Sequence, residues 1–153
     1  MRTPLQIESL KRKIDLLQAQ FGDPDYTALY GTGCIKRPDL CLVFMNPTAR
    51  NISVLKNWLG LKASWLGTKN TWKLLRRLGL IEQNIFAATQ EKKPLDWSDQ
   101  FCRQVYTTLA KNKVFITNLG HSTQPDARPL TKAIFAACLP VMKEEIALLQ
   151  PKM

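Results

Sequence analysis

The sequence predicts an α/β fold, three layers αβα around a short parallel sheet. Three observations carry the prediction. Two short apolar runs, Leu40–Met45 and Lys113–Thr117, have strand composition. Amphipathic stretches with helical spacing lie before, between and after them, as in βαβ units. Each run stops in a polar loop, and open α/β sheets place their ligands at the carboxyl ends of their strands.

In chain order, Thr3 can cap and Pro4 can start a first helix over residues 1–22, with Leu10, Ile14, Leu17 and Phe21 on one face and Gly22 as its end. Asp23-Pro24-Asp25 forces a turn, and Gly31-Thr32-Gly33 punctuates the approach to the first strand. Leu40–Met45 is a continuous apolar run halted by Asn46-Pro47-Thr48, the pattern of a central strand buried on both faces. From Thr68 as cap, Trp72, Leu74, Leu75 and Leu78 predict a helix closing at Gly79. Ser98 opens the next helix, with Phe101, Cys102, Val105, Tyr106 and Leu109 as its apolar face. After the second strand, a polar loop runs from Asn118 to Pro129. The last helix carries Ile134, Phe135, Cys138, Met142, Ile146 and Leu149, with Pro140 expected to kink or restart it.

A chain of 153 residues with 45% hydrophobic content suits one domain, 1–153, and excludes the low-hydrophobicity signature of disorder. No window approaches the roughly 18 apolar residues of a membrane span, and the charged N-terminus lacks the apolar core of a signal peptide. A cytoplasmic, nucleoid-associated protein with no membrane partner is expected. The 22 Lys and Arg against 12 Asp and Glu give +10, which suggests a polyanionic partner, nucleic acid first, against the alternative of a merely solvated basic surface. Cys34, Cys41, Cys102 and Cys138 form no CxxC pair and the single histidine is remote from them, so neither disulfides, a metal site nor a cofactor is expected.

Phe44-Met45-Asn46-Pro47-Thr48, Ser64-Trp65-Leu66-Gly67, Ile116-Thr117-Asn118-Leu119-Gly120 and the helix starting Ala137-Cys138-Leu139-Pro140 resemble, in order and spacing, the motifs of the uracil-DNA glycosylase superfamily. The resemblance spans about residues 30 to 152. It implies that the protein is a DNA-repair N-glycosylase that flips uracil, or a related damaged base, from single- or double-stranded DNA and hydrolyses its N-glycosidic bond. Asn46 falls on the family's water-positioning asparagine, with Phe44 and Thr48 in place of the flanking glycines. Trp65 falls on the aromatic that stacks on the base, Asn118 on the asparagine that reads its edge, and Met45 and Pro47 beside the base. Arg50, Lys69, His121 and Arg128 are the expected DNA contacts.

The chemistry of these residue types agrees. An amide offers a donor and an acceptor, which suits a uracil edge, and an aromatic face replaces stacking worth about 1–3 kcal/mol. An amide is a poor base, so Asn46 would position water and hydrolysis would rest on electrostatic stabilisation. Each residue also has a plainer reading: Asn-Pro is a common turn, Trp65 could be core, and exposed loop cations are commonly only solvated.

Two departures from the family matter. Ser122 stands where the iron-sulfur branch has its third cysteine, so no cluster is expected. The family's His-x-Ser loop, which stabilises the uracil anion, lies beyond its last helix, whereas this sequence ends at Met153. The expectation is a C-terminally truncated domain with weak excision and an exposed sheet edge, through which it could form homo-oligomers. The alternative function is a non-catalytic nucleic-acid-binding relative of the same fold. A flavodoxin-like nucleotide binder is disfavoured because no glycine-rich loop follows the first strand.

Overall fold

The computed structural model describes residues 4–64 and 69–153. Thr3, Trp65 and Thr68 lie outside the described residues, and with them two expected caps and the expected stacking aromatic. The elements are α1 (Pro4–Phe21), β1 (Thr32–Gly33), β2 (Leu40–Phe44), a 3-10 turn at Ile52–Val54, α2 (Lys69–Arg77), α3 (Gln83–Glu91), α4 (Asp99–Lys111), β3 (Val114–Asn118) and α5 (Lys132–Leu149).

The chain is mixed α/β, with a three-stranded sheet in the order β1-β3-β2. β3 is the centre. Its five residues are all buried, and it runs parallel to β2 from Leu40 opposite Val114 to Phe44 opposite Asn118. On its other side β1 pairs antiparallel, Thr32 with Ile116 and Gly33 with Phe115. The sheet is therefore mixed rather than wholly parallel, because the segment marked by Gly31-Thr32-Gly33 contributes a short antiparallel strand. The expectation for Leu40–Met45 is also corrected. β2 has β3 on one side only, so Val43 and Met45 are 44% and 53% exposed while the central strand is dry.

The free side of β2 is met by the last residues of the same chain: the Cys41 amide donates to the Met153 carbonyl at 2.8 Å, and the Lys152 amide to the Pro38 carbonyl at 2.9 Å. The edge expected to be bare is thus partly covered, since the tail supplies backbone partners that an edge strand otherwise leaves open.

Helices cover both faces. Alternation along β3 turns Val114 and Ile116 into a cluster with Trp72, Leu75, Cys102, Val105 and Leu109, so α2 and α4 close one face. On the other face Thr117 hydrogen-bonds Glu145 of α5, and α1 packs on α5 through Leu10, Ile14, Leu17, Cys138 and Val141. Ser98 caps α4 as its sequence position predicts, accepting from the Phe101 amide at 3.2 Å. Gly79 ends α2 with φ +70°, a left-handed conformation that costs glycine little, and the Leu80 amide returns to the Leu75 carbonyl. α5 runs unbroken through Pro140, so it does not restart there.

Candidate functional site

β2 and β3 are parallel, so their carboxyl ends point the same way and their following loops must run side by side. The pairing continues past both strands. The Leu119 amide donates to the Phe44 carbonyl and the Gly120 amide to the Met45 carbonyl, each at 2.7 Å, and Thr48 bridges Gln124. A Cβ at Gly120 would meet the tip of Leu130 at 2.8 Å and the Met45 carbonyl at 3.2 Å, so glycine favours this close approach of the two loops. Between them opens a cleft of about 720 Å³ lined by Met45, Asn46, Pro47, Arg50, Asn118 and the 125–129 segment, among others.

Asn118 forms its floor. It is 1% exposed, its Nδ2 donates to Ser64 Oγ at 2.7 Å, and its Oδ1 is buried without a partner among the described residues. A buried unpaired carbonyl costs roughly 1–3 kcal/mol, which a ligand N–H would relieve. Ser64 is itself held, because the Tyr106 hydroxyl of α4 donates to its carbonyl. Burial pushes the Tyr106 phenol well above its ordinary range, so it stays a donor. Ala63, just before it, is fixed by the Asn51 amide at 2.8 Å and the Ser53 hydroxyl at 2.9 Å.

Asn46 is 5% exposed and its Nδ2 donates to the Pro47 carbonyl at 3.1 Å, the local turn bond that its sequence also allows. At the rim Arg50 and Met45 are exposed. Arg128 donates twice to Asp126, at 2.5 and 3.2 Å, and this pairing holds the Asp126 carboxyl below the usual carboxylate range. Asp126 is the only carboxylate among the described residues that line the cleft.

The structure therefore brings Met45, Asn46, Pro47, Arg50, Asn118 and Arg128 to one cleft. Two expected contacts lie elsewhere. Lys69 starts α2 and its Nζ donates to the Gln90 carbonyl. His121 has no exposed surface, so it is not the loop-surface contact expected; its Nε2 lies 3.9 Å from Glu145. Its loop is buried because the Thr123 amide and hydroxyl are bound by Gln18 and the Thr27 carbonyl. Burial lowers the His121 ring to about 4, against a weaker opposing effect of the Leu29 backbone. Burial raises Glu145 to about 7, against the Thr117 hydroxyl bond that lowers it.

Ser64, Tyr106 and Asp126 are the residues that sequence reasoning missed. Ser64 sat inside a motif read for its aromatic neighbour, and Asp126 beside Arg128, while nothing in the sequence ties Tyr106 to the site. Among the described residues, no three Cys, His, Asp or Glu side chains gather where they could hold a metal. No described helix is long and apolar enough to cross a membrane. Compared with known proteins, the sequence matches no family model and no curated protein.

Proposed function

We propose that the protein is a DNA N-glycosylase of the uracil-excising type, with the three-layer fold of that superfamily, acting on uracil-containing DNA. The observation that carries this reading is Asn118: a buried amide at the floor of a cleft, with its oxygen unpaired among the described residues and its nitrogen tied to Ser64. That geometry suits the N–H and adjacent carbonyl of a uracil edge. The cleft lies at the carboxyl ends of two parallel strands, and helices on both sheet faces agree with the fold.

In this reading the flipped base enters beside Met45 and Pro47, and Trp65 replaces its lost stacking. Asn46 positions the attacking water through its amide, while Arg50 and Arg128 attract the flanking phosphates. Breaking the N-glycosidic bond leaves a uracil anion and a cationic sugar; water adds to the sugar, and the proton it loses ends on the uracil, directly or through solvent. Release of free uracil from a single-stranded oligonucleotide containing one uracil tests the reading.

A second reading, a nucleic-acid-binding relative without the chemistry, is favoured by one observation. Among the described residues lining the cleft, the sole carboxylate is engaged by Arg128 and none is a histidine, so they include no free strong general base. Preferential binding of uracil-containing DNA without release selects it.

A further inference from the structure

The nine residues of α2, Lys-Asn-Thr-Trp-Lys-Leu-Leu-Arg-Arg, contain four cations and no carboxylate. At 3.6 residues per turn, Lys69, Lys73, Arg76 and Arg77 fall within an arc of about 100°. Thr71, Trp72 and Leu75, which are buried, occupy the opposite side. All four cations are exposed, and none has a carboxylate partner among the ion pairs of the described residues. Lys69 donates to the Gln90 carbonyl, and Arg76 to Gln83 Oε1 and the Ile81 carbonyl. Those acceptors are neutral, so the full charge of the row remains.

Such a row opposes helix stability. Lys69–Lys73 and Lys73–Arg77 are like charges at i,i+4, and Lys69 places a cation at the positive end of the helix dipole. An external polyanion would relieve both. The row runs about 12 Å along the helix axis, long enough to follow several successive phosphates of one strand. It also begins near the cleft: only four residues lie between Lys69 and Ser64, which touches Asn118, so their Cα atoms are at most about 18 Å apart.

We propose that the outer face of α2 is a phosphate-backbone contact, gripping the nucleic acid beside the cleft without reading sequence. It rests on the nucleic-acid part of the proposed function and not on the glycosylase chemistry. α2 supplies affinity and salt dependence, while Asn118 supplies preference for the base.

The test compares Lys73→Gln/Arg77→Gln with a charge-matched control, Lys36→Gln/Lys111→Gln. The control residues are exposed and lie just before β2 and β3, at the sheet end opposite the cleft. Binding is measured against salt for two single strands that differ only in one uracil for thymine. The α2 variant is expected to lower the slope of log K against log salt by about 1.4, near 0.7 per lost phosphate contact on a single strand. Both strands weaken by the same factor, and the control leaves the slope unchanged. An unchanged slope in the α2 variant, equal slope losses in variant and control, or weakened binding to anionic phospholipid vesicles with DNA binding intact would each overturn the proposal. Should the double variant lose its helical circular dichroism, Arg77→Gln alone must lower the slope by about half as much. A wild-type protein whose DNA binding depends on α2 but which releases no uracil leaves this proposal standing and removes the glycosylase reading. Uracil release with α2-independent binding does the reverse.

Discussion

Val114 and Ile116 on one face of β3 meet Trp72, Leu75, Cys102, Val105 and Leu109, all at 0% exposure, whereas Thr117 on the other face meets Glu145 with His121 close by. The same strand thus separates a layer of mainly apolar side chains from a layer that holds a buried carboxyl and an imidazole. Asn118, next in the alternation, falls on the α4 side, where Ser64 and Tyr106 secure it. Packing on the α4 face therefore fixes the amide of the site. The α5 face instead carries groups whose charges burial suppresses, beneath the loop that forms the cleft's other wall.

Neighbouring truncations should separate the two faces most strongly. Ile116→Ala removes a fully buried branched side chain and should cost about 2–5 kcal/mol in urea unfolding. Thr117→Ala removes mainly the bond to Glu145, at 2.7 Å, and should cost about 1–3 kcal/mol. Equal costs would break the comparison.

Between about pH 4.5 and 6.5 the pH dependence of stability turns on the two shifted groups of the α5 face. His121 is held at about 4 instead of 6.5, so the unfolded chain binds more protons between those values and stability falls as pH drops through them. Glu145 is held at about 7 instead of 4.5, so the folded chain binds more protons there and stability falls as pH rises. The two slopes oppose each other from pH 4.5 to 6.5, which predicts a nearly level profile for the wild type. In Glu145→Gln the histidine acts alone, and stability should climb from pH 4 to 6.5 by up to about 3 kcal/mol. A level profile in that variant, followed by thermal unfolding, would show that His121 is not held neutral.

At the strand's end, Asn118→Ala should reduce discrimination of uracil from cytosine, whose edge presents a bare ring nitrogen and an amino group instead, by about 1–3 kcal/mol in competitive binding. Unchanged discrimination would remove the amide from recognition. Arg50→Ala at the cleft rim should do less and do it differently, lowering the salt slope by about 1 on both strands without altering the preference.

The position of the site was legible in the sequence because two apolar runs each stop in a polar loop, and Asn46 and Asn118 stand where those runs stop. Other features were hidden for physical reasons. β1 is only Thr32–Gly33 and has no period to detect. α3 buries only Thr89 fully, so Gln83–Glu91 shows no strong apolar face. The fourfold polar run His121-Ser122-Thr123-Gln124 reads as solvated loop, yet its first three residues are buried because backbone ties to the 44–49 segment and to α1 draw it inward. Ser64 and Asn118 are 54 residues apart, and no local pattern announces a contact between them.

The measurement that bears most directly on the proposed activity is the appearance of free uracil when the protein is incubated in excess with a single-stranded oligonucleotide carrying one uracil. Release by the wild-type protein, loss of that release in Asn118→Ala, and no cytosine from a strand with cytosine in place of the uracil are expected. Intact N-glycosidic bonds at every time point, together with equal affinity for the uracil and cytosine strands, would contradict the proposed activity.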